Sequence, residues 1–521
     1  MKHNQLNRVL QGTLLLSLSS LIAKILSAVY RVPFQNLVGN DGFYVYQQVY
    51  PIYGLGVVLA LSGLPVFISK LIAEQDDELQ QVAIARQLWR MLLVIALVVV
   101  AFLWGWAPQI ALAMGDRRLT PVIRSVSWMF LGMPFLSVGR GYHQGQYLTW
   151  PTSITQVIEQ VIRVSIVVLV AVMSLHNSWN IYEIGTYAMA SAPVAAAVAT
   201  LIIILASSSL IKASHVPKSL VSNKILLKRL LVEGGALCLF SSMMILLQLV
   251  DSFTVKSALV DSGVSSMDAM QLKGIFDRGQ PLIQLGLVMA TSISALLVPS
   301  LTESYLKGQM VEFRRQFQLL LHVCVAISAL CTIGLIALMP QINQLLFSNQ
   351  QGSLTLAVNM VSILLASQIT TYSSVMQSLN RFSQIVIGLV AGLMVKVVTN
   401  YVLVIHFGIL GASLGTVLAL LVTLLIVWRA VPAYLHWNPG SKFNIKLTAV
   451  CVIMGFSAWT VGKLMTVLVG PGRLASILVV GISVVAGIII ALVLSIKVKL
   501  LSAKEMLLLP HGKELLKKLR Q

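Results

Sequence analysis

About fourteen apolar runs of roughly 20 residues or more follow one another along this 521-residue chain, and they leave few folds open. They cover approximately 10–32, 45–72, 88–108, 121–142, 150–174, 184–211, 230–256, 278–300, 317–339, 355–378, 382–405, 408–431, 446–468 and 475–497. A run of that length matches the hydrocarbon thickness of a bilayer when coiled as a helix. Lipid offers the backbone no hydrogen-bond partners, so a spanning segment must satisfy its own peptide groups, as a helix does. The expected fold is therefore an all-α polytopic membrane protein. The runs at 45–72 and 184–211 exceed the bilayer and are expected to tilt or bend.

Composition agrees: 57% of residues are hydrophobic and only 10% charged. The formal net charge of +20 could point to nucleic acid. No soluble basic segment exists to host such a ligand, and Lys and Arg accumulate in cytoplasmic loops of membrane proteins. With the N-terminus inside, 25 of the 37 Lys and Arg fall on the cytoplasmic side and 8 outside, with Lys24, Arg31, Arg163 and Lys396 within spans. Both termini are thus expected inside, and the number of spans even. The four cysteines, Cys238, Cys324, Cys331 and Cys451, lie in apolar runs without a CxxC pair and read as small buried hydrophobes. The first run leads into further helices and is expected to be retained rather than cleaved. The leucine- and lysine-bearing tail, 499–521, reads as an amphipathic helix on the inner leaflet.

The sequence resembles itself. Gly12, Leu15, Ser19 and Ser20 coincide with Gly234, Leu237, Ser241 and Ser242 at an offset of 222. Pro51, Leu55, Gly56, Val58, Ala60 and Ser62 coincide with Pro281, Leu285, Gly286, Val288, Ala290 and Ser292 at an offset of 230. Spans 1–2 then correspond to 7–8, and the match preserves orientation. The expected organisation is two six-helix lobes related by a parallel pseudo-two-fold, 1–212 and 230–432, joined by a linker at 213–229, with a helix pair at 433–498. Two lobes around a cleft suit alternating access.

Charges inside the spans are the functional candidates, because a membrane ion is expensive and normally faces a bundle interior or wet cavity. Lys24 and Arg31 are two turns apart on one helical face, followed by a polar hinge at 35–42. Snorkelling to the interface is the bland alternative, and it suits Arg31 better than Lys24. Glu159 and Arg163 are four apart, so an intrahelical pair is geometrically natural. The repeat sets Glu159 over Lys396 and Arg163 over Asn400. Asp251, with Gln248, could hold a coupling cation, pair with a cleft cation or simply lie at the interface. Asp41 and Arg278 precede spans 2 and 8, either near the cleft mouth or as solvated loop charges. Excess cations over acids suit a polyanion such as a pyrophosphate, with Arg supplying forked donors and Lys a point charge.

Other motifs fail on context. Gly411, Ser413 and Gly415 match GxSxG, which needs a strand–turn–helix elbow; here the pattern opens an apolar helix and serves packing. The pairs Gly141/Gly145 and Gly388/Gly392 read likewise. No P-loop, HExxH or clustered metal-ligand pattern occurs, so neither an enzyme nor a bound cofactor is expected. Coupling to Na+, to H+ or to membrane potential stays open. Pro65, Pro134, Pro193 and Pro299 are candidate hinges.

Several stretches carry a family resemblance: 28–33 (AVYRVP), 39–42 (GNDG), 50–53 (YPIY), 63–66 (GLPV), 68–74 (ISKLIAE), 141–146 (GYHQGQ), 156–164 (QVIEQVIRV) and 276–284 (FDRGQPLIQ). Together they resemble the stage V sporulation protein B type of polysaccharide transport protein. That group is similar to MurJ-type lipid II flippases of the multidrug/oligosaccharidyl-lipid/polysaccharide (MOP) exporter superfamily. The resemblance implies fourteen helices, and a bacterial cytoplasmic-membrane flippase moving an undecaprenyl-pyrophosphate-linked sugar precursor, lipid II above all. It implies roles for Lys24, Arg31, Asp41 and Arg278 in substrate binding, and a sodium site near Asp251 in some relatives. It also implies a lipid-tail groove formed by spans 13–14. The partners expected are the lipid-linked substrate and membrane lipids, with a monomeric chain. The rivals are a flippase for another glycan such as capsule or teichoic-type precursors, a multidrug or cation antiporter of the same fold, and a membrane glycan polymerase.

Overall fold

The computed structural model describes residues 2–207, 221–288, 301, 304–305, 307–379, 381–436, 440–470 and 472–500. Among the described residues the regular structure is entirely helical. The expected tail helix from 501 onward, most of the linker, Pro299 and the second half of span 8 lie outside them.

Twelve described helices are long and apolar enough to cross a membrane. The longest candidate span, Leu15–Ala73, covers most of the first expected run and all of the second, and the run at 278–300 is described only to Val288. The first elements are α1 (Lys2–Val29), α2 (Arg31–Val57), α3 (Glu78–Gly105), α4 (Met133–Gly145), α5 (Trp150–Met173) and α6 (Ile181–Ala206). Beyond the linker come α7 (Gly235–Asp261), α8 (Ser266–Asp277), α9 (Met310–Ala337), α10 (Ser353–Ser378) and α11 (Phe382–Phe407). The last three are α12 (Ile409–Ala430), α13 (Gly440–Val469) and α14 (Arg473–Lys497).

Helix ends follow local chemistry. Asp77 caps α3 by accepting from the Leu79 amide at 3.1 Å. Asn180 and Glu183 form a capping box at α6. The polar stretch 35–42 is helical rather than an open hinge, with a single break at Gly39 (φ 72°, ψ −179°). That conformation is essentially restricted to glycine. Pro65 and Pro134 do not kink helices from within; each lies in the first turn after a break at Gly63 or Gly132. Pro193 does lie inside α6.

The chain divides into two compact units, residues 1–277 with 400–405, and residues 278–399 with 406–521. The repeat boundary at 213–229 thus falls inside the first unit, because α7 and α8 pack against α2. In that unit small residues let backbones approach. A Cβ on Gly141 would lie 2.6 Å from Ile68 Cβ, and one on Gly145 would lie 2.7 Å from Ile72 Cβ. In the second unit Gly388 and Gly392 sit against Val427 and Thr423 of α12 in the same way. Both glycine pairs are close-packing sites.

Candidate functional site

The site in the first unit is built by the break at Gly39. Along a continuous helix, Tyr30 and Tyr46 would be about 24 Å apart. Instead their hydroxyls share a hydrogen bond of 2.8 Å, and Phe34 packs on Tyr46 with ring centres 4.9 Å apart. The chain therefore folds back on itself, and Gln35 spans the break by donating to Asn40 at 2.9 Å. Tyr46, Tyr50 and Tyr53 recur at i, i+4 and i+7, which aligns them on one face of the returning helix.

That face encloses two guanidinium groups. Arg31 lies over the Tyr50 ring at 4.1 Å. Arg163, from α5, lies over Tyr53 at 4.3 Å and Tyr30 at 4.9 Å. Arg163 donates to the Tyr46 hydroxyl at 3.1 Å, to Gln160 at 3.3 Å and to Ser27 at 3.4 Å. Arg31 is 0% exposed, and among the described residues none of its three side-chain nitrogens has a hydrogen-bond partner. A buried charge is costly unless paired and hydrogen-bonded. One aromatic face contributes about 2 kcal/mol or more when desolvated. The arrangement is a cationic, donor-rich nest suited to a phosphate-like anion.

Several expectations about neighbouring charges change. Glu159 pairs with Arg140, whose Nη2 donates to it at 2.8 Å, and not with Arg163. Tyrosine rings occupy the surroundings of Arg163, while Arg140 reaches Glu159 from α4. Arg140 is fully buried. Its Nη1 donates to the Ala60 carbonyl at 3.0 Å and its Nε to Thr155 at 3.1 Å. Ala60 lies in a π-helical turn, Val58–Ser62, which interrupts the α-helical ladder. Ser137 donates to the Leu59 carbonyl of that turn at 2.9 Å. Lys24 shares the face of Arg31 but not its enclosure, since its side chain is exposed.

Other buried ions were hidden from sequence reasoning because they sit near span ends. Lys256 donates to Asp116 at 3.0 Å, and the Tyr182 hydroxyl donates to the same oxygen at 2.7 Å. Lys273 and Asp277 form a buried pair at 2.6 Å. The half-buried Asp41 is hydrogen-bonded to Gln271 of α8. Asp251 is buried and accepts from Asn400 at 3.0 Å; Asn400 also donates to Thr254 at 2.6 Å. Among the described residues no cluster of three His, Cys, Asp or Glu could hold a metal ion.

In the second unit Arg278 donates to Asn343 at 3.2 Å and to Asn349 at 2.8 Å, with its guanidinium 4.9 Å from the Phe347 ring centre. Neither asparagine stood out in the sequence. Lys396 is fully buried and donates to the Ala412 carbonyl at 2.9 Å and to Thr416 at 2.7 Å. Ser413, of the GxSxG pattern, donates to the Thr355 carbonyl at 2.9 Å. The pattern therefore joins α10, α11 and α12 and presents no nucleophile. Helices α9, α13 and α14 line an apolar cavity of about 490 Å³, with Leu330, Gly334, Met454, Ala458 and Gly487 on its walls.

Helical spans enclosing a buried cationic nest define a membrane transporter fold, and solved structures share it. A structure described as "Lipid II flippase MurJ, inward closed conformation" superposes with a TM-score of 0.69 at 12% identity, covering 92% of this chain and 98% of that one. The chain belongs to the polysaccharide biosynthesis protein family, whose model matches residues 9–305. It is 36% identical over 412 residues to the "Uncharacterized membrane protein YabM" of Bacillus subtilis, covering 78% of this chain and 76% of that one. It is 23% identical over 511 residues to the "Lipid II flippase MurJ" of Bacillus subtilis, covering 92% and 93%. The resemblance to the stage V sporulation protein B and MurJ-like group of the MOP superfamily holds.

Proposed function

We propose that this chain is a flippase that carries an undecaprenyl-pyrophosphate-linked sugar precursor, lipid II being the cargo, from the inner to the outer leaflet by alternating access. The observation that carries the reading is Arg31: a fully buried guanidinium whose three nitrogens all lack hydrogen-bond partners among the described residues, beside Arg163. A pyrophosphate would accept from such a fork. Cations where a cation exporter would need acids disfavour the antiporter reading. Similarity to relatives named as flippases supports the same direction.

In this reading both termini lie in the cytoplasm, as the basic-residue bias favours, and the chain acts as a monomer. Arg31 and Arg163 hold the pyrophosphate, with Lys24 and Asp41 of the same unit as further substrate-binding residues. Glu159 acts by fixing Arg140. The cavity lined by α9, α13 and α14 receives the polyprenyl tail. Asp251 is the residue for ion coupling, by Na+ or H+. Release requires that the two access states differ in affinity, so the cations must be better arranged in the inward-facing one.

The test is surface exposure of lipid II in cells depleted of their own flippase and complemented with this chain or with Arg31→Ala. Restored exposure by the wild type, and none by a variant that inserts normally, is the expected result. Failure of a correctly inserted wild type would remove lipid II as the cargo and bring another polyprenyl-linked glycan forward.

A further inference from the structure

A second cavity, of about 450 Å³, lies in the first unit, walled by α3, α4 and α6. Its lining joins two chemistries. Arg86, Trp89 and Arg90 project from one face of α3 at i, i+3 and i+4 spacing, and Ser207 adds a hydroxyl held by His143 at 2.9 Å. Phe135, Val138, Ile203 and Ile204 form an apolar floor. Trp89 and Phe135 meet edge to face, with ring centres 5.4 Å apart. Among the described residues no carboxylate lines the cavity.

Position along α3 sharpens the reading. Arg86 and Arg90 lie 8 and 12 residues into a 28-residue helix, about 12–18 Å from its start. About 22 Å of apolar helix follows them. Guanidiniums and a tryptophan at that depth mark the boundary between hydrocarbon and headgroups.

From this cavity we infer a binding site for an anionic glycerophospholipid, separate from the tyrosine-caged arginines. The phosphate sits between Arg86, Arg90 and the Ser207 hydroxyl, and one acyl chain lies along Phe135, Ile203 and Ile204. Basic pockets between membrane helices recognise anionic headgroups by this combination. The inner leaflet is the source if the orientation proposed above holds; the binding test does not depend on it.

The test uses the purified full-length chain in detergent with fluorescently labelled phosphatidylglycerol. Wild type is expected to bind it at least about tenfold more tightly than labelled phosphatidylcholine. Arg86→Gln/Arg90→Gln should erase that preference, and Arg314→Gln/Arg381→Gln, two exposed arginines elsewhere, should keep it. Ile204→Trp, which fills the floor and leaves the charges, should weaken both lipids and gives a second reading if the double variant fails to fold. Equal affinity for the two lipids would overturn the site. Complete displacement by inorganic phosphate would make it a free-anion site, and tighter competition by undecaprenyl pyrophosphate at the same residues would make it a substrate site. Either result would also overturn the inference. Because no transport is measured, the outcome is independent of the flippase reading.

Discussion

Arg140 Nη2 donates to Glu159 at 2.8 Å while both side chains are buried, and the same guanidinium caps the Ala60 carbonyl of the π-helical turn in the second span. One arginine therefore neutralises a membrane carboxylate and satisfies a backbone group that the irregular turn leaves free. Breaking such a pair from one side strands the partner and costs about 3–5 kcal/mol. Arg140→Met or Glu159→Gln should each lower the apparent melting temperature of the purified protein sharply. The double variant Arg140→Met/Glu159→Leu should recover part of the loss, except the share due to the uncapped turn. Additive losses in the double variant would contradict the pairing.

Arg31 should behave in the opposite way. Its charge is buried and, among the described residues, makes no hydrogen bond, so replacing it by a hydrophobe of similar volume removes a desolvation cost that the Tyr50 ring only partly offsets. Arg31→Met is expected to match or exceed wild type in melting temperature and to lose lipid flipping by about 100-fold or more, as expected for losing two charge-assisted bonds of about 1.5–3 kcal/mol each. A variant that loses stability and activity together would make Arg31 a structural residue. Arg31→Lys keeps the charge but not the fork, and should retain only a fraction of the activity.

The glycines of α4 predict a packing effect without chemistry. A Cβ at Gly141 or Gly145 would lie within 2.6–2.7 Å of Ile68 or Ile72. Gly141→Leu should destabilise by about 1–3 kcal/mol through overpacking. Ile68→Ala in the same chain should return part of that, measured as the shift in thermal midpoint between single and double variants.

Asp251 offers a test of coupling. It is buried and accepts from Asn400 at 3.0 Å. If it carries the coupling ion, Asp251→Asn should abolish stimulation of transport by an imposed Na+ or H+ gradient in proteoliposomes while leaving lipid binding intact. Unchanged stimulation would assign Asp251 a structural role.

Much of this protein is legible in its sequence because the bilayer imposes a single solution on the backbone. Runs of about 20 apolar residues must be helices, and the small residues at Gly141, Gly145, Gly388 and Gly392 must be contact points between them. The rarity of membrane charges marks Lys24, Arg31, Arg163 and Lys396 as candidates for burial; the last three are buried and Lys24 is exposed. What one dimension could not supply was partnership. Glu159 stands four residues from Arg163 but pairs with Arg140, nineteen residues away on another helix. Lys256, Lys273 and Asp277 are buried near span ends, where hydropathy averaged over a window is blind to what packs against the helix. The tyrosine cage was visible as a period in residues 46, 50 and 53, yet only the reversal at Gly39 sets it around Arg31. Local sequence thus determined which segments are helical and which charges are costly, because both follow from transfer into lipid. Tertiary structure decided which costs are met by a partner and which, as at Arg31, are not, because that depends on contacts between residues distant in the chain.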